Sequence, residues 1–286
     1  MGVQKQTMSH IHWYPGHIAK AEKTLSEKLN LIDVVVEVLD ARIPISSSYP
    51  NIKKLIKHKP RLILLNKTDL ADAGTLKLWK EFLERENSCP VLFTSANSKK
   101  DENAIVTSVL ELSSEMRERL KAKNILERPA RIMVIGMPNV GKSTIINRLT
   151  KNGKAKVGAK AGVTRQQQWV RVHDKIELLD TPGIIPTVQD NQLASIKLAT
   201  VSSIGENAFD NEFVACELLK ILQARYEARL RAYYGVEGEI TIENIALARN
   251  WIVKGAQPDI VRTSQFILTN FRNGKIGKFT LDELPV

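Results

Sequence analysis

Short apolar runs and amphipathic segments alternate along the first part of the chain. Five runs, each bounded by polar residues, predict buried parallel strands at Val34–Leu39, Arg61–Leu65, Pro90–Thr94, Arg131–Ile135 and Ile176–Leu179. Segments with apolar residues at helical spacing separate several of these strands, for example Leu76–Glu86 and Ala104–Ala122. This alternation predicts an α/β fold in which helices flank a mostly parallel sheet.

Towards the end of the chain the pattern changes to helical spacing alone. Glu212–Tyr234 carries its apolar residues at helical intervals. Pro258–Asn273 is predicted as another helix, because proline is tolerated in a first turn and Gly274 follows as a stop. We therefore predict two domains, an α/β domain over residues 1–188 and an all-helical C-terminal domain over residues 189–286.

Each predicted strand ends in a polar cluster, and ligands bind at the carboxyl ends of strands in such sheets. The fourth strand leads into Gly136–Ser143, which matches the phosphate-binding loop (P-loop) pattern GxxxxGK[ST]. Lys142 would reach the β- and γ-phosphates, and the Ser143 hydroxyl would bind Mg²⁺. Backbone N–H groups and the helix N-terminus would hold the phosphates. The predicted phosphate-binding residues in this segment are Asn139, Val140, Gly141, Lys142, Ser143 and Thr144.

A second phosphate-proximal motif, DTPG, spans residues 180–183 after the last predicted strand. Asp180 suits contact with the water shell of Mg²⁺, and the Gly183 N–H can reach the γ-phosphate. Thr164 lies between the P-loop and this motif. It is the candidate switch threonine that closes on Mg²⁺ when GTP is bound, and it joins Lys142 among the candidate catalytic residues.

The sequence Asn66-Lys67-Thr68-Asp69 follows the second predicted strand and matches NKxD, a guanine-reading pattern. A carboxylate at Asp69 can accept from the guanine ring N–H and amino group, a donor pair that adenine lacks. Asn66 would brace the loops, and the Lys67 stem would pack on the base. The end of the next strand would supply a backbone N–H to the base oxygen. The predicted guanine-binding residues are Asn66, Lys67, Thr68, Asp69, Thr94, Ser95 and Ala96.

The order of these motifs is inverted, because NKxD comes about seventy residues before the P-loop instead of after it. The chain is therefore either a circularly permuted GTPase or a P-loop protein in which NKTD is a surface turn. A strand followed by Ser95-Ala96-Asn97 after NKTD favours the first reading.

The position after Gly183, where many GTPases carry a water-orienting glutamine, holds Ile184. Asn139 could help to hold a monovalent cation near the β- and γ-phosphates and so supply positive charge. His17 could orient or deprotonate the water, although a histidine after a Pro-Gly turn is often structural. Gln166–Gln168 lie near the predicted switch and are a third alternative.

Composition indicates a soluble globular protein, with 43% hydrophobic and 26% charged residues. We expect no membrane span, because no apolar run reaches the required length, and no secretory signal, because the first residues lack an apolar core. Cys89 and Cys216 suit a reducing compartment, so the expected location is the cytoplasm.

The net charge of +11 arises entirely in residues 1–190, which hold 31 Lys and Arg against 20 Asp and Glu. From Arg128 to His173 there are ten basic residues and no acidic one. Such a surface attracts polyanions, RNA above all, although it could also be a solvated face that receives nucleotide phosphates.

The complete motif set resembles the circularly permuted GTPases, and in particular the YlqF-type ribosome biogenesis GTPase A family. Trp13–Ala21, Asp40–Pro44 and Phe271–Gly277 carry this resemblance, which covers nearly the whole chain. It implies a GTPase that binds an immature large ribosomal subunit late in assembly and leaves after hydrolysis. It also implies a hydrophobic residue in place of the catalytic glutamine, as at Ile184, and His17 as a proposed catalytic residue.

The resemblance further implies potassium-stimulated hydrolysis through the P-loop asparagine, Asn139, beside the usual Mg²⁺. One departure is Ala161-Gly162-Val163-Thr164, where a proline is expected before the glycine. We expect a monomer whose partners are GTP or GDP, rRNA and ribosomal proteins. The alternative is a nucleotide-gated binding module with negligible turnover that a protein partner reads. An ATPase is a third reading, and Asp69 argues against it.

Overall fold

The computed structural model describes residues 15–95, 98, 101–152, 169–179, 183–184 and 191–285. For residues 15–21, 151, 152, 183, 184 and 206 it describes only the backbone. The strands of the first part, in chain order, are β1 (Val34–Asp40), β2 (Arg61–Asn66), β3 (Val91–Phe93), β4 (Ala130–Gly136), β5 (Trp169–His173), β6 (Ile176–Leu179) and β7 (Gly183–Ile184). They form a seven-stranded sheet in the spatial order β3-β2-β1-β4-β6-β5, with β7 beside β4.

The five strands predicted from apolar runs are confirmed as β1, β2, β3, β4 and β6, and the pairs among them are parallel. Strand β5 was not predicted. It pairs antiparallel with β6, and only Val172 of its five residues is buried, so it shows no apolar run. Because an edge strand needs one buried face at most, its sequence carries a weaker signal than that of a central strand.

Helices cover both faces of the sheet. They are α1 (Pro15–Leu29), α2 (Ile52–Ile56), α3 (Leu76–Asn87), α4 (Asp101–Leu112), α5 (Ser114–Ala122) and α6 (Lys142–Asn152). Strand β1 shows why both faces are apolar. Val35 belongs to a cluster with residues of α1 and α2, whereas Val34, Val36 and Val38 belong to one with residues of α4 and α6. Alternate side chains point to opposite faces, so a strand covered on both sides must be apolar throughout.

The single helix predicted over Ala104–Ala122 is two helices in the structure. The Leu110 carbonyl accepts from the Ser113 hydroxyl at 3.2 Å and from Arg117 Nη2 at 2.6 Å. A serine hydroxyl that bonds a nearby carbonyl competes with the regular helical hydrogen bond. The local competition separates α4 from α5 at Ser113.

The C-terminal part is helical, as predicted. Its helices are α7 (Gln192–Thr200), α8 (Asn211–Tyr234), α9 (Ile242–Ala248) and α10 (Ile260–Arg272), with a 3₁₀ turn at Glu206–Ala208. The side chains of Asn191, Asp210, Thr241 and Asp259 accept from backbone N–H groups in the first turns of the four helices. These caps satisfy donors that a helix start leaves unpaired.

Two details of the C-terminal part differ from the prediction. A small antiparallel hairpin, β8 (Ile252–Val253) with β9 (Gln257–Pro258), interrupts the helices. Pro258 therefore ends this hairpin and does not start α10. The helix begins later, at Ile260, because the Asp259 carboxylate caps it by accepting from Arg262 N at 3.0 Å.

One continuous cluster of buried apolar residues joins the sheet to the C-terminal helices. It contains Val36 and Val134 from the sheet, Leu198 from α7, Leu218 from α8 and Phe271 from α10. The predicted boundary between residues 188 and 189 lies outside the described residues and stays a prediction. Within the described part of the chain, no helix has the length and apolarity needed to cross a membrane.

Candidate guanine nucleotide site

The P-loop has the conformation that its two glycines permit. It runs between the last residue of β4, Gly136, and the first of α6, Lys142. Gly136 has φ +150°, and a Cβ there would lie 2.6 Å from the Val38 carbonyl oxygen. Gly141 has φ +108°, and a Cβ there would lie 2.1 Å from Asn66 Nδ2. Both positions therefore exclude a side chain, which lets the loop wrap closely beneath a ligand.

Lys142 is buried at the start of α6, and its Nζ donates to the Met137 carbonyl at 2.7 Å. Burial lowers the pKa of Lys142 to about 8, because desolvation disfavours the ammonium form. Ser143 and Thr144 follow it in the first helical turn, and both are exposed. An ammonium beside a helix N-terminus with an exposed hydroxyl can bind a phosphate and a hydrated Mg²⁺ ion.

The pKa of Lys142 predicts that nucleotide affinity falls at alkaline pH. Bound phosphates stabilise the ammonium, so its pKa in the complex lies above the value of about 8 in the free protein. The affinity for nucleotide should therefore be highest below about pH 8, where Lys142 is charged in the free protein. Above that pH it should decrease by up to about tenfold per pH unit.

The measurement is titration calorimetry of GDP binding between about pH 7 and pH 9.5. The matched control is Lys142→Arg, whose guanidinium stays charged over this range, so its affinity should not change with pH. Equal pH profiles for the two proteins would contradict the prediction.

The NKTD residues connect the P-loop to the ends of β2 and β3. Asn66 Nδ2 donates to the Val140 carbonyl at 2.8 Å, and Asn66 Oδ1 accepts from the Thr94 hydroxyl at 3.0 Å. The Thr68 hydroxyl donates to the Thr94 carbonyl at 3.2 Å. Lys67 Nζ donates to the Asn139 carbonyl at 2.6 Å. These hydrogen bonds hold the predicted guanine-binding and phosphate-binding loops together at one edge of the sheet.

Asp69 carries the strongest sign of a ligand. Its Oδ1 is buried and has no hydrogen-bond partner among the described residues. Buried polar atoms nearly always have a partner, and an unsatisfied one costs free energy. A guanine base supplies two donors that a carboxylate can accept, so this oxygen fits the role predicted for Asp69.

Ser95 contacts the start of α4 in this structure. Its backbone N–H donates to Asp101 Oδ2 at 3.2 Å, and the Ser98 hydroxyl donates to the same carboxylate. The Ser95 N–H is therefore engaged at the start of α4 in this structure, and its role in guanine binding stays a prediction. Ala96, the other predicted residue of this loop, lies outside the described residues.

The structure describes only some of the predicted catalytic and metal-binding residues. Gly183 pairs with Ile135, and Ile184 with Gly136, so the end of the DTPG motif lies beside the start of the P-loop. His17 lies in α1, of which the backbone is described at that point. Thr164 and Asp180 lie outside the described residues, and their roles stay predictions.

Asn139, the predicted K⁺ ligand, has φ +58° and contacts the C-terminal part of the chain. Its Nδ2 donates to the Ser202 carbonyl at 2.7 Å. A carbonyl can only accept, so this bond turns Oδ1 of Asn139 away from Ser202. A carboxamide oxygen is a ligand type that suits a hard cation such as K⁺.

Asp40-Ala41-Arg42 follows the first predicted strand, but its sequence predicts no chemical role. In the structure the Asp40 carboxylate is buried and lies 2.9 Å from Lys67 Nζ of NKTD. Only its position in the sequence could have indicated a role for Asp40, because it ends a buried strand at the same sheet edge as the other motifs.

Comparison with known proteins agrees with this site. Residues 131–224 match a family model described as a 50S ribosome-binding GTPase. The chain is 39% identical over 279 residues to the ribosome biogenesis GTPase A of Bacillus licheniformis, and the alignment covers 96% of this chain and 98% of that protein. The chain belongs to the ribosome biogenesis GTPase A family.

Other members and solved structures support the same assignment. The ribosome biogenesis GTPase A of Thermotoga maritima is 33% identical over 272 residues, covering 94% of this chain and 93% of that protein. A GDP-bound YlqF structure is 27% identical and superposes with a TM-score of 0.67, covering 91% of this chain and 98% of that one. The predicted circularly permuted GTPase fold is therefore confirmed. As a member of this family, the chain is a GTPase that takes part in ribosome assembly, and GTPases generally use Mg²⁺.

Proposed function

We propose that this GTPase binds the immature large ribosomal subunit late in its maturation and is released after it hydrolyses GTP. Hydrolysis is slow for the protein alone and is stimulated by the subunit. The protein acts as a monomer in the cytoplasm and contacts rRNA and ribosomal proteins. The observation that carries the GTP-dependent part of the proposal is the Asp69 oxygen, which is buried, has no hydrogen-bond partner in the described part of the chain, and suits the two donors of guanine.

Ion pairs within the basic stretch Arg128–His173 limit the set of residues that we propose to contact rRNA. Arg128 pairs with Asp33 at 2.6 Å, and Arg131 and Arg171 both lie within 4.0 Å of Glu177. These acidic partners neutralise part of the positive surface. We therefore assign the rRNA contact in this segment to the basic residues at the end of α6 and after it: Lys151, Lys154, Lys156, Lys160 and Arg165.

The C-terminal helices offer a second surface for the ribosome. Arg262 lies over the Trp251 ring at 4.5 Å, and Arg249 lies over the Phe266 ring at 4.4 Å. Next to Trp251 in the chain, the β8 residues Ile252 and Val253 are 47% and 46% exposed. Guanidinium and aromatic groups beside exposed apolar residues suit contact with unstacked bases or with protein.

In the proposed hydrolysis, this chain's residues position the phosphates and the attacking water. Lys142 binds the β- and γ-phosphates, and His17 orients the water in place of the missing glutamine. Thr164 would be a ligand of Mg²⁺ in the GTP-bound protein. Ser143 would hold Mg²⁺ directly, Asp180 would contact its water shell, and Asn139 would help to hold K⁺. Bound in this way, the two ions would supply positive charge that offsets charge developing on the phosphates.

The test is GTP turnover with and without purified immature large subunits, in K⁺ and in Na⁺. We expect stimulation of at least about tenfold by the large subunit in K⁺, little in Na⁺, and none by small subunits. His17→Ala should retain GTP affinity and lose the stimulated rate. Turnover that large subunits leave unchanged would sink the proposal, even if the protein binds GTP tightly.

A second candidate function is a nucleotide-gated binding module with negligible turnover. It is favoured by the position of Ile184 beside Gly136, since an apolar side chain cannot orient a water molecule. Co-sedimentation with subunits in a non-hydrolysable GTP analogue, together with no turnover under any condition above, would select this function.

A further inference from the structure

The Asp40-Ala41-Arg42 segment, which GTP chemistry does not by itself explain, lies at the centre of a buried ionic cluster. Both charged side chains are almost fully buried, at 0% exposure for Asp40 and 2% for Arg42. Arg42 donates from Nε to Asp40 Oδ1 at 2.9 Å and from Nη2 to Asp40 Oδ2 at 2.7 Å. This two-point contact fixes the direction of the carboxylate as well as its charge.

The same carboxylate holds the lysine of the guanine motif. Lys67 Nζ lies 2.9 Å from Asp40 Oδ2 and 2.6 Å from the Asn139 carbonyl of the P-loop. The residue has φ +62°, a conformation that is uncommon for a non-glycine residue and needs support from its surroundings. Two directed contacts on one ammonium fix the path of the side chain whose stem is predicted to pack on the base.

The electrostatics of the cluster favour ionised Asp40. Burial alone would raise the pKa of Asp40, but the charges of Arg42 and Lys67 and their hydrogen bonds outweigh it and hold that pKa well below its usual range. Asp40 is therefore a permanent anion at physiological pH, and Lys67 has a permanent counter-charge.

Arg42 also connects this cluster to α10. Its Nη1 lies 3.4 Å from the Arg272 carbonyl, and its guanidinium lies 5.7 Å from the centre of the Phe271 ring. The chain beyond α10 then returns to the same loops. The Leu281 N–H donates to the Arg42 carbonyl at 2.7 Å, and Asp282 Oδ2 accepts from the Ile45 N–H at 2.8 Å.

The residue after Asp69 makes contact with the same C-terminal segment. The Phe279 N–H donates to the Leu70 carbonyl at 3.2 Å, and a Cβ on Gly274 would lie 2.8 Å from Leu70 Cδ2, so the two residues are close neighbours. The guanine loop is thus held from two directions, by Asp40 through Lys67 and by the segment after α10 through Leu70.

The geometry points to Asp40 and Arg42 as positioning residues for guanine binding, which link the side chain of Lys67 to the seating of residues 271–282 against the GTPase domain. Guanine nucleotide binding and the seating of this segment would then stabilise each other, since coupling between two sites is reciprocal. The inference rests on guanine nucleotide binding and not on the ribosomal role, so experiments without ribosomes test it separately.

The first test is the rate of GDP dissociation from Asp40→Asn, measured by chasing a fluorescent GDP. The amide keeps the shape of the carboxylate but removes the charge that holds Lys67. We expect dissociation to become about tenfold faster, as for partial loss of one charge-assisted hydrogen bond. Arg42→Lys, which loses the two-point contact but keeps the charge, should give a smaller increase and provides a second variant if Asp40→Asn folds poorly.

The chain offers a matched control on the same strand. Glu37 is also a fully buried carboxylate of β1, and it accepts hydrogen bonds from Arg61 of β2 and from the Ser48 hydroxyl, which belong to neither NKTD nor the P-loop. Glu37→Gln should lower the melting temperature at least as much as Asp40→Asn does and leave GDP dissociation unchanged. If both variants accelerate dissociation equally, the effect is general destabilisation and the inference is wrong.

A double-mutant cycle decides whether Asp40 acts through Lys67. In a Lys67→Met background, Asp40→Asn should add nothing to the dissociation rate. An undiminished tenfold effect in that background would overturn the assignment of Asp40 as a positioning residue.

Hydrogen exchange tests the link to the C-terminal segment. GDP should slow exchange of the Phe279 and Leu281 amides, which donate to the Leu70 and Arg42 carbonyls. In Asp40→Asn, at GDP concentrations that saturate the variant, this slowing should be reduced. If GDP does not change the exchange rate of either amide in the unaltered protein, the proposed coupling is wrong.

Discussion

Replacing Asp69 by asparagine is expected to weaken GDP and GTP binding by about a hundredfold or more. The reason is chemical, because the carboxylate accepts from both the ring N–H and the amino group of guanine, and an amide can replace only one of these acceptors. Hydrogen bonds to a charged group are worth roughly 1.5–3 kcal/mol each, so losing one and mismatching the other corresponds to about two decades in affinity. Titration calorimetry with each nucleotide measures the change.

The same variant should gain affinity for xanthine nucleotides. Xanthine has a carbonyl where guanine has its amino group, and the asparagine Nδ2 can donate to that oxygen. A reversal of preference between the two bases separates lost recognition from a damaged site, since a damaged site would bind both nucleotides weakly.

Stability of the free protein gives an independent readout for this position. Asp69 Oδ1 is buried, and no described residue hydrogen-bonds it, so a neutral side chain there should change the free energy of unfolding by no more than about 0.5 kcal/mol or should raise it. The control is Asp210→Asn, which keeps a good helix cap at α8 and should change neither stability nor affinity. Unaltered GTP affinity in Asp69→Asn would mean that NKTD is only a surface turn.

The sequence predicts the fold best where an apolar run leads directly into a recognisable motif. The strand Ala130–Gly136 is fully apolar over most of its length and ends in a glycine that the P-loop requires, so both the element and its ligand could be predicted. Arg61–Asn66 is predictable for the same reason, because its buried run leads directly into NKTD. In such segments the residues that pack the sheet are followed directly by the residues predicted to bind the nucleotide.

Contacts between distant parts of the chain could not be predicted in this way. Asp282 accepts hydrogen bonds from the Ile45 and Ser46 N–H groups and pairs with Lys197, although these residues lie far apart in sequence. A lone aspartate near a chain end has no periodicity or motif to mark it. Its partners become evident only when the sheet and the C-terminal helices are assembled, and the role of Arg42 is hidden for the same reason.

The second large effect is expected for Gly141→Ala, which should abolish measurable nucleotide binding. The new Cβ would lie 2.1 Å from Asn66 Nδ2, far inside contact distance, on a backbone with φ +108°. Asn66 cannot simply swing aside, because it is buried and hydrogen-bonds both the Val140 carbonyl and the Thr94 hydroxyl. The P-loop and the guanine loop must therefore separate, which misplaces groups that contact both ends of the nucleotide.

The expected cost in stability is smaller than the cost in binding, about 1–3 kcal/mol for the strained backbone and the broken hydrogen bonds. Chemical denaturation measures this cost, and Gly238→Ala is the matched control because a Cβ there meets nothing within 4 Å. Combining Gly141→Ala with Asn66→Ala removes the clashing amide. The double variant should recover part of the stability while nucleotide binding stays lost, since Asn66 also braces the two loops. If Gly141→Ala alone binds GDP normally, the contact between Gly141 and Asn66 is not what holds the phosphate and guanine loops in register.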